Sequence, residues 1–328
     1  MRQIRARNVN DALAQGLGEI QKHGIARTSR NGGVLSFPYP VITEYQNPKE
    51  RVVTCPIRDC NPFFHHMESM WMLSGRNDLE FVKKYTKQME LYSTDGSRLN
   101  GAYGFRWREW FGQDQIKMAI HRLKKFPDDR RTVIQMWDGY KDLLPDNEEL
   151  DVPCNTAIYL SILDGALNMT VTNRSNDMIW GAYGANAVHF SFLQEYIASM
   201  LDVSVGSYYQ FSNNLHVYTD FGPYKKLIEQ AAEIPCLYQT KEAIPRRLVN
   251  NKSRFMSEVE AFCEGSDDKF QNTFLNEVSR PIKEAHDIFK QGDWYKAVSK
   301  CHEIQAQDWR IACQEWLERR IAAKTKKV

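Results

Sequence analysis

The chain of 328 residues lacks any run of about 18 apolar residues, which excludes an apolar membrane-spanning helix. It also shows no charged start running into a short apolar stretch, so a cytosolic protein is expected. Charge of one sign is missing: 43 basic and 41 acidic residues leave a formal +2. That balance gives no overall field for a nucleic-acid polymer or a membrane surface, so any anion must be held by local clusters, and small charged ligands fit best. A disulfide framework is absent too. Seven cysteines, an odd number scattered over a long chain, read as reduced thiols, most of them small core hydrophobes. There is no internal repeat and no low-complexity stretch, and 42% hydrophobic content at this length can bury a sizeable core.

What is present begins with "DVPCNTAIYLSILDGALNMTVTNRSND", residues 151 to 177. Asp164-Gly165 between two apolar, partly alternating runs predicts a hairpin, because both turn residues tolerate positive φ. A two-residue loop would set Cys154 opposite Ser175 and Asn155 opposite Arg174. A potential nucleophile and a cation then meet at the open end of one hairpin. In an ideal ladder, however, Arg174 points away from the face of Cys154, so a β-bulge or a loop ending is required to bring its guanidinium round.

Elsewhere, "NVNDALAQGLGEIQKHGI" has helical spacing, and "RTSRNGGVLSFPYP" reads as a basic, Gly-punctuated loop leading into strands. "PFFHHMESMWMLSG" predicts a mostly buried helix carrying one carboxylate, Glu68. "DDRRTVIQMWD" turns into a strand after Arg130 and Arg131, and "ANAVHFSFLQEYIASML" is a long buried helix. Strands and helices mix without a βαβ rhythm, so the expected class is α+β. Beyond residue 222 the texture is helical and charged, with Trp309, Cys313, Trp316 and Leu317 on one face; the expected division is a core, 1–222, and a helical extension packed on it, 223–328, ending in a frayed "KTKKV".

Cys154 combines a preceding proline, a strand-end position and an arginine twenty residues on, a setting that lowers a thiol pKa. Cys55 and Cys60 before His65 and His66 do not have zinc-ligand spacing, and no metal is expected. His121, His189 and His286 read as satisfied structural groups, and Trp309 and Trp316 as core. Arg27, Arg30, Arg130, Arg131 and Arg174 supply forked donors suited to a phosphomonoester. Asn186, Asn213, Asn214, His216 and Tyr218 supply amide, imidazole and phenol groups suited to a base edge and a ribose.

In order along the chain, "RTSRNG", "HHMESMWMLSG", "GAYGFRWREW", "PDDRRTVI", "PCN" with "RSND" twenty residues later, "WGAYGANAVHF" and "NNLHVY" resemble the thymidylate synthase family, including its phage deoxypyrimidine hydroxymethylases. The resemblance spans about residues 27–218. It implies a mixed sheet with long buried helices, a homodimer, and methylenetetrahydrofolate as cosubstrate with no metal. By position it implies Cys154 as the nucleophile toward C6 of the pyrimidine, and Arg27, Arg174 and Ser175 as phosphate ligands. Arg130 and Arg131 would reach the phosphate from the partner subunit. Asn186 would read the base, and His216 and Tyr218 the ribose 3′-hydroxyl. Glu68 and Tyr103 would move protons, Asp177 would lie near both rings, and Trp71 on the folate side.

Methylating members hold a tryptophan over the C5 methylene; spacing back from Tyr103 puts Met89 there, and no short folate-closing tail is recognisable. Both departures lean towards hydroxymethyl. Asn186 favours uracil, although "GAYGAN" is one residue longer than the family spacing, so that without the insertion Ala185 would take its place. The expectation is a dUMP, or dCMP, 5-hydroxymethylase acting through a covalent adduct at C6; the alternatives are a thymidylate synthase or a catalytically inactive nucleotide-binding homologue.

Overall fold

In the computed structural model, residues 1–29, 32–234, 236–240 and 243–325 are described, so Arg30 and the last three residues of the expected tail lie outside the described residues. The strands are β1 (Arg2–Ala6), β2 (Ile25–Ser29), β3 (Gly32–Ser36), β4 (Val41–Tyr45), β5 (Val133–Gln135), β6 (Asn155–Leu163), β7 (Ala166–Asn173), β8 (Asn176–Asp177), β9 (Ser204–Ser212) and β10 (Leu215–Tyr218). The helices are α1 (Val9–His23), α2 (Pro62–Leu73), α3 (Leu79–Val82), α4 (Tyr103–Arg108), α5 (Gln115–Lys125), α6 (Asn186–Leu201), α7 (Tyr224–Glu229), α8 (Phe255–Glu264), α9 (Arg280–Lys290), α10 (Trp294–Cys301) and α11 (Gln307–Thr325).

Asp164 and Gly165 both take positive φ, 50° and 71°, and close the expected two-residue hairpin. The β6–β7 hairpin lies in a six-stranded sheet of order β1-β4-β9-β7-β6-β5, where β1 runs parallel to β4 and β7 parallel to β9. A second sheet, β2-β3-β10-β8, includes Arg27 on a strand rather than on the expected loop. The class is α+β with mixed sheets, long buried helices and C-terminal helices.

Helix α6 is buried from Asn186 to Ala198 and so has no polar face to give to water. Two of its polar side chains are held internally: Gln194 donates through Nε2 to the carbonyl of Leu167 (2.8 Å), and Glu195 pairs with Arg51. Helix α2 starts cleanly because Asn61 caps it, accepting from the N–H of Phe64 (3.1 Å), with Pro62 in its first turn. The C-terminal helices cover α2. Trp316 meets Phe63 edge-on (5.4 Å between centroids), Trp309 meets His66 (4.7 Å), and Ser279 bonds the His66 ring (2.9 Å). Both tryptophans are core, and burial pushes the His66 pKa down to about 3, so its ring is neutral. Lys324 and Thr325 of the expected frayed tail still belong to α11.

All seven cysteines are thiols, five of them buried; burial pushes Cys263 and Cys301 up to about 12, which leaves them inert. The outer surface of the six-stranded sheet keeps Val133, Tyr159 and Leu163 exposed at 43%, 47% and 64%.

Candidate active site

The expected register holds from Leu163 opposite Ala166 to Ala157 opposite Thr172, and then breaks: Asn155 faces Asn173. Thr156 is an extra residue, a β-bulge that shifts the rest of β6 by one. The N–H of Arg174 accordingly donates to the carbonyl of Cys154 at 2.9 Å. The expected pairings of Cys154 with Ser175 and of Asn155 with Arg174 are corrected by this bulge, and residues paired across a ladder share one face. The Arg174 guanidinium folds back: Nε donates to the Pro153 carbonyl (2.9 Å) and Nη2 to that of Val152 (3.0 Å), while the group sits 5.3 Å from the Trp137 ring centroid. It braces the peptide segment that presents the thiol.

A cavity of about 690 Å³ opens here, lined by Cys154, Arg174, Ser175 and Asp177 of the hairpin end together with Arg27, His216 and Tyr218 of the second sheet. The chain passes from β7 of the first sheet straight into β8 of the second, where Leu215 pairs in parallel with Asn176 and His216 with Asp177. The His216 ring bonds Asn214 Oδ1 (2.9 Å), and burial lowers its pKa, so it is neutral. Asp177 accepts the Trp180 N–H with Oδ1; Oδ2 is buried with no partner, and burial pushes the carboxyl up to about 6.

Glu68, Tyr103 and Asn186 stand outside the cavity lining. Glu68 Oε2, on α2, approaches His189 Nε2, on α6, to 3.0 Å off the hydrogen-bond line, and neither atom has a hydrogen bond. His189 therefore lies beside the candidate proton-transfer carboxylate, a placement its expected structural role did not suggest. His65 stands edge-on to it (6.1 Å) and bonds the Cys60 thiol (3.4 Å); burial drives the His65 pKa well down. The Tyr103 hydroxyl is pushed well above its ordinary range by burial first, then by Cys154, Asp151 and Glu68.

The segment expected to carry an extra residue before Asn186 forms a wide turn, Met178–Ala185, in which Tyr183 and Gly184 leave helical geometry. Asn186 Nδ2 then donates to Asn176 Oδ1 (3.1 Å), and Asn176 in turn donates to Gln210 Oε1 and Ser212 Oγ. Asn186, rather than Ala185, carries the amide into this buried network.

Trp71 is buried and donates to Asp78 Oδ1 (3.2 Å); Met89 is half-buried on a short turn, Lys87–Tyr92. Neither lines the cavity, whereas Tyr92 does. Arg130 and Arg131 are exposed just before the edge strand β5 and also lie outside it. Among the described residues, no group of three or more His, Cys, Asp or Glu side chains could hold a metal. Sequence reasoning missed Asp151, Trp137 and Tyr92, which line the cavity, and the approach of His189 to Glu68. Only Asp151, three residues before the cysteine, carried a signal in the sequence.

Comparison with known proteins gives this arrangement a family. The thymidylate synthase family profile matches residues 13–260. Deoxyuridylate hydroxymethyltransferase of Pseudomonas phage M6 is 44% identical over 343 aligned residues, covering 98% of this chain and 95% of that one. The protein of the same name from Bacillus phage SP01 is 39% identical over 191 residues (55% and 50%), and a thymidylate synthase of Symbiobacterium thermophilum is 30% identical over 169 (46% and 57%). The chain belongs to the thymidylate synthase family.

Proposed function

We propose that this protein converts dUMP to 5-hydroxymethyl-dUMP, with methylenetetrahydrofolate supplying the one-carbon unit. The observation that carries the reading is the meeting of Cys154 with Arg174, Arg27, Ser175, His216 and Tyr218 around one cavity. C5 of uracil is a poor carbon nucleophile until a thiolate adds to C6. Cys154 performs that addition; Arg27, Arg174 and Ser175 hold the phosphate; His216 and Tyr218 hold the ribose; Asn186 reads the base, its amide favouring uracil over cytosine. Glu68 and Tyr103 manage the charge on O4 and the departing C5 proton.

For the folate, Tyr92, Trp137, Leu150 and Val152 offer partly apolar lining, and the partnerless buried Asp177 Oδ2 offers an acceptor that a pterin donor would satisfy. We assign Asp177, Trp71 and Met89 to that side. Arg130 and Arg131 serve the phosphate of a second copy in a homodimer, a reading supported by their exposure and by the bare apolar sheet surface around Val133, Tyr159 and Leu163. Residues 1–222 form the catalytic core in this scheme and 223–328 its helical cover. With phage proteins among its relatives, the reaction belongs to the cytoplasm of an infected host.

The test is incubation with methylenetetrahydrofolate and 5-tritiated dUMP or dCMP, following tritium release, dihydrofolate absorbance and product mass. Tritium release from dUMP without dihydrofolate, and a product heavier by one CH₂O, is the expected result. Dihydrofolate with a methylated product makes the protein a thymidylate synthase; faster release from dCMP reassigns the base; no release from either indicates a nucleotide-binding homologue.

A further inference from the structure

Hydroxymethylation needs something that methylation does not: a base for the water that adds to the C5 methylene. Four carboxylates line the cavity, Asp142, Glu149, Asp151 and Asp177. Asp142 is locked in a fully buried two-pronged pair with Arg106 (2.8 and 2.9 Å). Glu149 lies exposed at the rim, bonded to Thr94 Oγ1 (2.8 Å). Asp177 has one oxygen on the Trp180 N–H and the other fully buried. Glu68, outside the lining, is turned to His189.

Asp151 differs from all of these. Its Oδ2 accepts the Gly101 N–H (2.8 Å), while Oδ1 takes no protein hydrogen bond among the described residues. The backbone around it is held: its carbonyl accepts Asn100 Nδ2 (3.0 Å), and the next two carbonyls are bound by Arg174. A Cβ on Gly101 would meet Asp151 Oδ1 at 2.8 Å, so glycine there keeps that oxygen clear. The thiol that forms the adduct is three residues away, and Asp151 and Cys154 both act on the Tyr103 hydroxyl.

We infer that Asp151 is the base that takes the proton of the water attacking the C5 methylene, and so directs the reaction to the hydroxymethyl product. The proposal rests on the hydroxymethylation reading above. In the step, the water oxygen bonds to the methylene carbon and its proton passes to Asp151. The methylene π electrons move into the ring as the O4 enolate. They return to expel Cys154 from C6 as thiolate, restoring C5=C6, and the proton on Asp151 is then lost to solvent.

Burial pushes the Asp151 carboxyl up to about 6, opposed by the Gly101 N–H and Arg106 and reinforced by Glu68 and Glu149, which suits proton uptake near neutrality.

The experiment is Asp151→Asn, which keeps an acceptor for Gly101, assayed with 5-tritiated dUMP, methylenetetrahydrofolate and added 2-mercaptoethanol. We expect the ratio of hydroxymethyl product to tritium released to fall by at least about tenfold, with the missing product captured as the thiol adduct at the methylene. Asp151→Glu should recover part of the alcohol. A wild-type ratio in Asp151→Asn overturns the proposal, and so does loss of tritium release in step with product, since the residue would then act before the branch or only on folding. Failure of the underlying reading looks different: wild-type protein would itself form dihydrofolate and a methylated base.

Discussion

The N–H of Arg174 donates to the carbonyl of Cys154 across a bulged end of the β6–β7 hairpin, at 2.9 Å. The same arginine binds the carbonyls of Val152 and Pro153, so one side chain fixes the approach to the thiol and also lines the cavity wall. Arg174→Ala is expected to cost on the order of 2–4 kcal/mol of transition-state stabilisation, a loss in kcat/KM of about 30-fold to 1,000-fold. Cys154→Ala should abolish tritium release while nucleotide binding, measured by calorimetry, persists. Residual tritium release in Cys154→Ala would remove the covalent mechanism.

Glu68 and His189 approach to 3.0 Å in the interior, where an unpaired carboxylate is expensive. His189→Leu removes the polar group nearest Glu68 Oε2 and is expected to lower tritium release by roughly 10-fold to 100-fold, at a stability cost of about 1–3 kcal/mol. Release and thermal unfolding measured on the same preparation separate the two effects. Unchanged release would return His189 to a purely structural role.

Arg130 and Arg131 sit outside the cavity of their own chain. In the proposed dimer, mixing Cys154→Ala with the double variant Arg130→Ala/Arg131→Ala gives heterodimers with one intact site built from the thiol of one copy and the arginines of the other. Each parent is expected to be nearly inactive and the mixture, after subunit exchange, to regain roughly a quarter of wild-type tritium release. A mixture as inactive as its parents rules out sharing across the dimer.

Asp308 lies buried in α11, accepting the Tyr238 hydroxyl (2.9 Å) and the Trp309 N–H (2.9 Å). Burial raises its pKa to about 6, above the unfolded value of about 3.9. Because the folded value is the higher one, its contribution is fully present below pH ~4 and is lost as pH rises through about 6. Asp308→Asn should therefore gain on wild type with pH, by on the order of 1 kcal/mol between pH 5 and pH 8 in urea unfolding. A pH-independent difference would assign the effect to packing.

Much of the site was legible because its signals are local. Asp164-Gly165 demands positive φ at both residues, and the apolar runs on either side give strands that meet at the expected turn. The even burial of α2 and α6 followed from side chains apolar around most of each helix. The insertion before Asn186 was visible as a spacing, but its outcome was not. Whether Ala185 or Asn186 reaches Asn176 depends on a wide turn whose geometry no pattern specifies. His189 looked like any polar residue on a buried helix, since the carboxylate it meets is 121 positions earlier.

The amino-acid sequence by itself determined the elements, the α+β class and the chemical types gathered for the reaction, because propensity, turn conformation and hydrophobic period act over a few residues. Tertiary structure alone decided the face on which Cys154 and Arg174 meet, the partner of Glu68 and the single-sided hold on Asp151. In a strand, one extra residue exchanges the two faces. Which residue is extra is settled by packing between segments far apart in the chain.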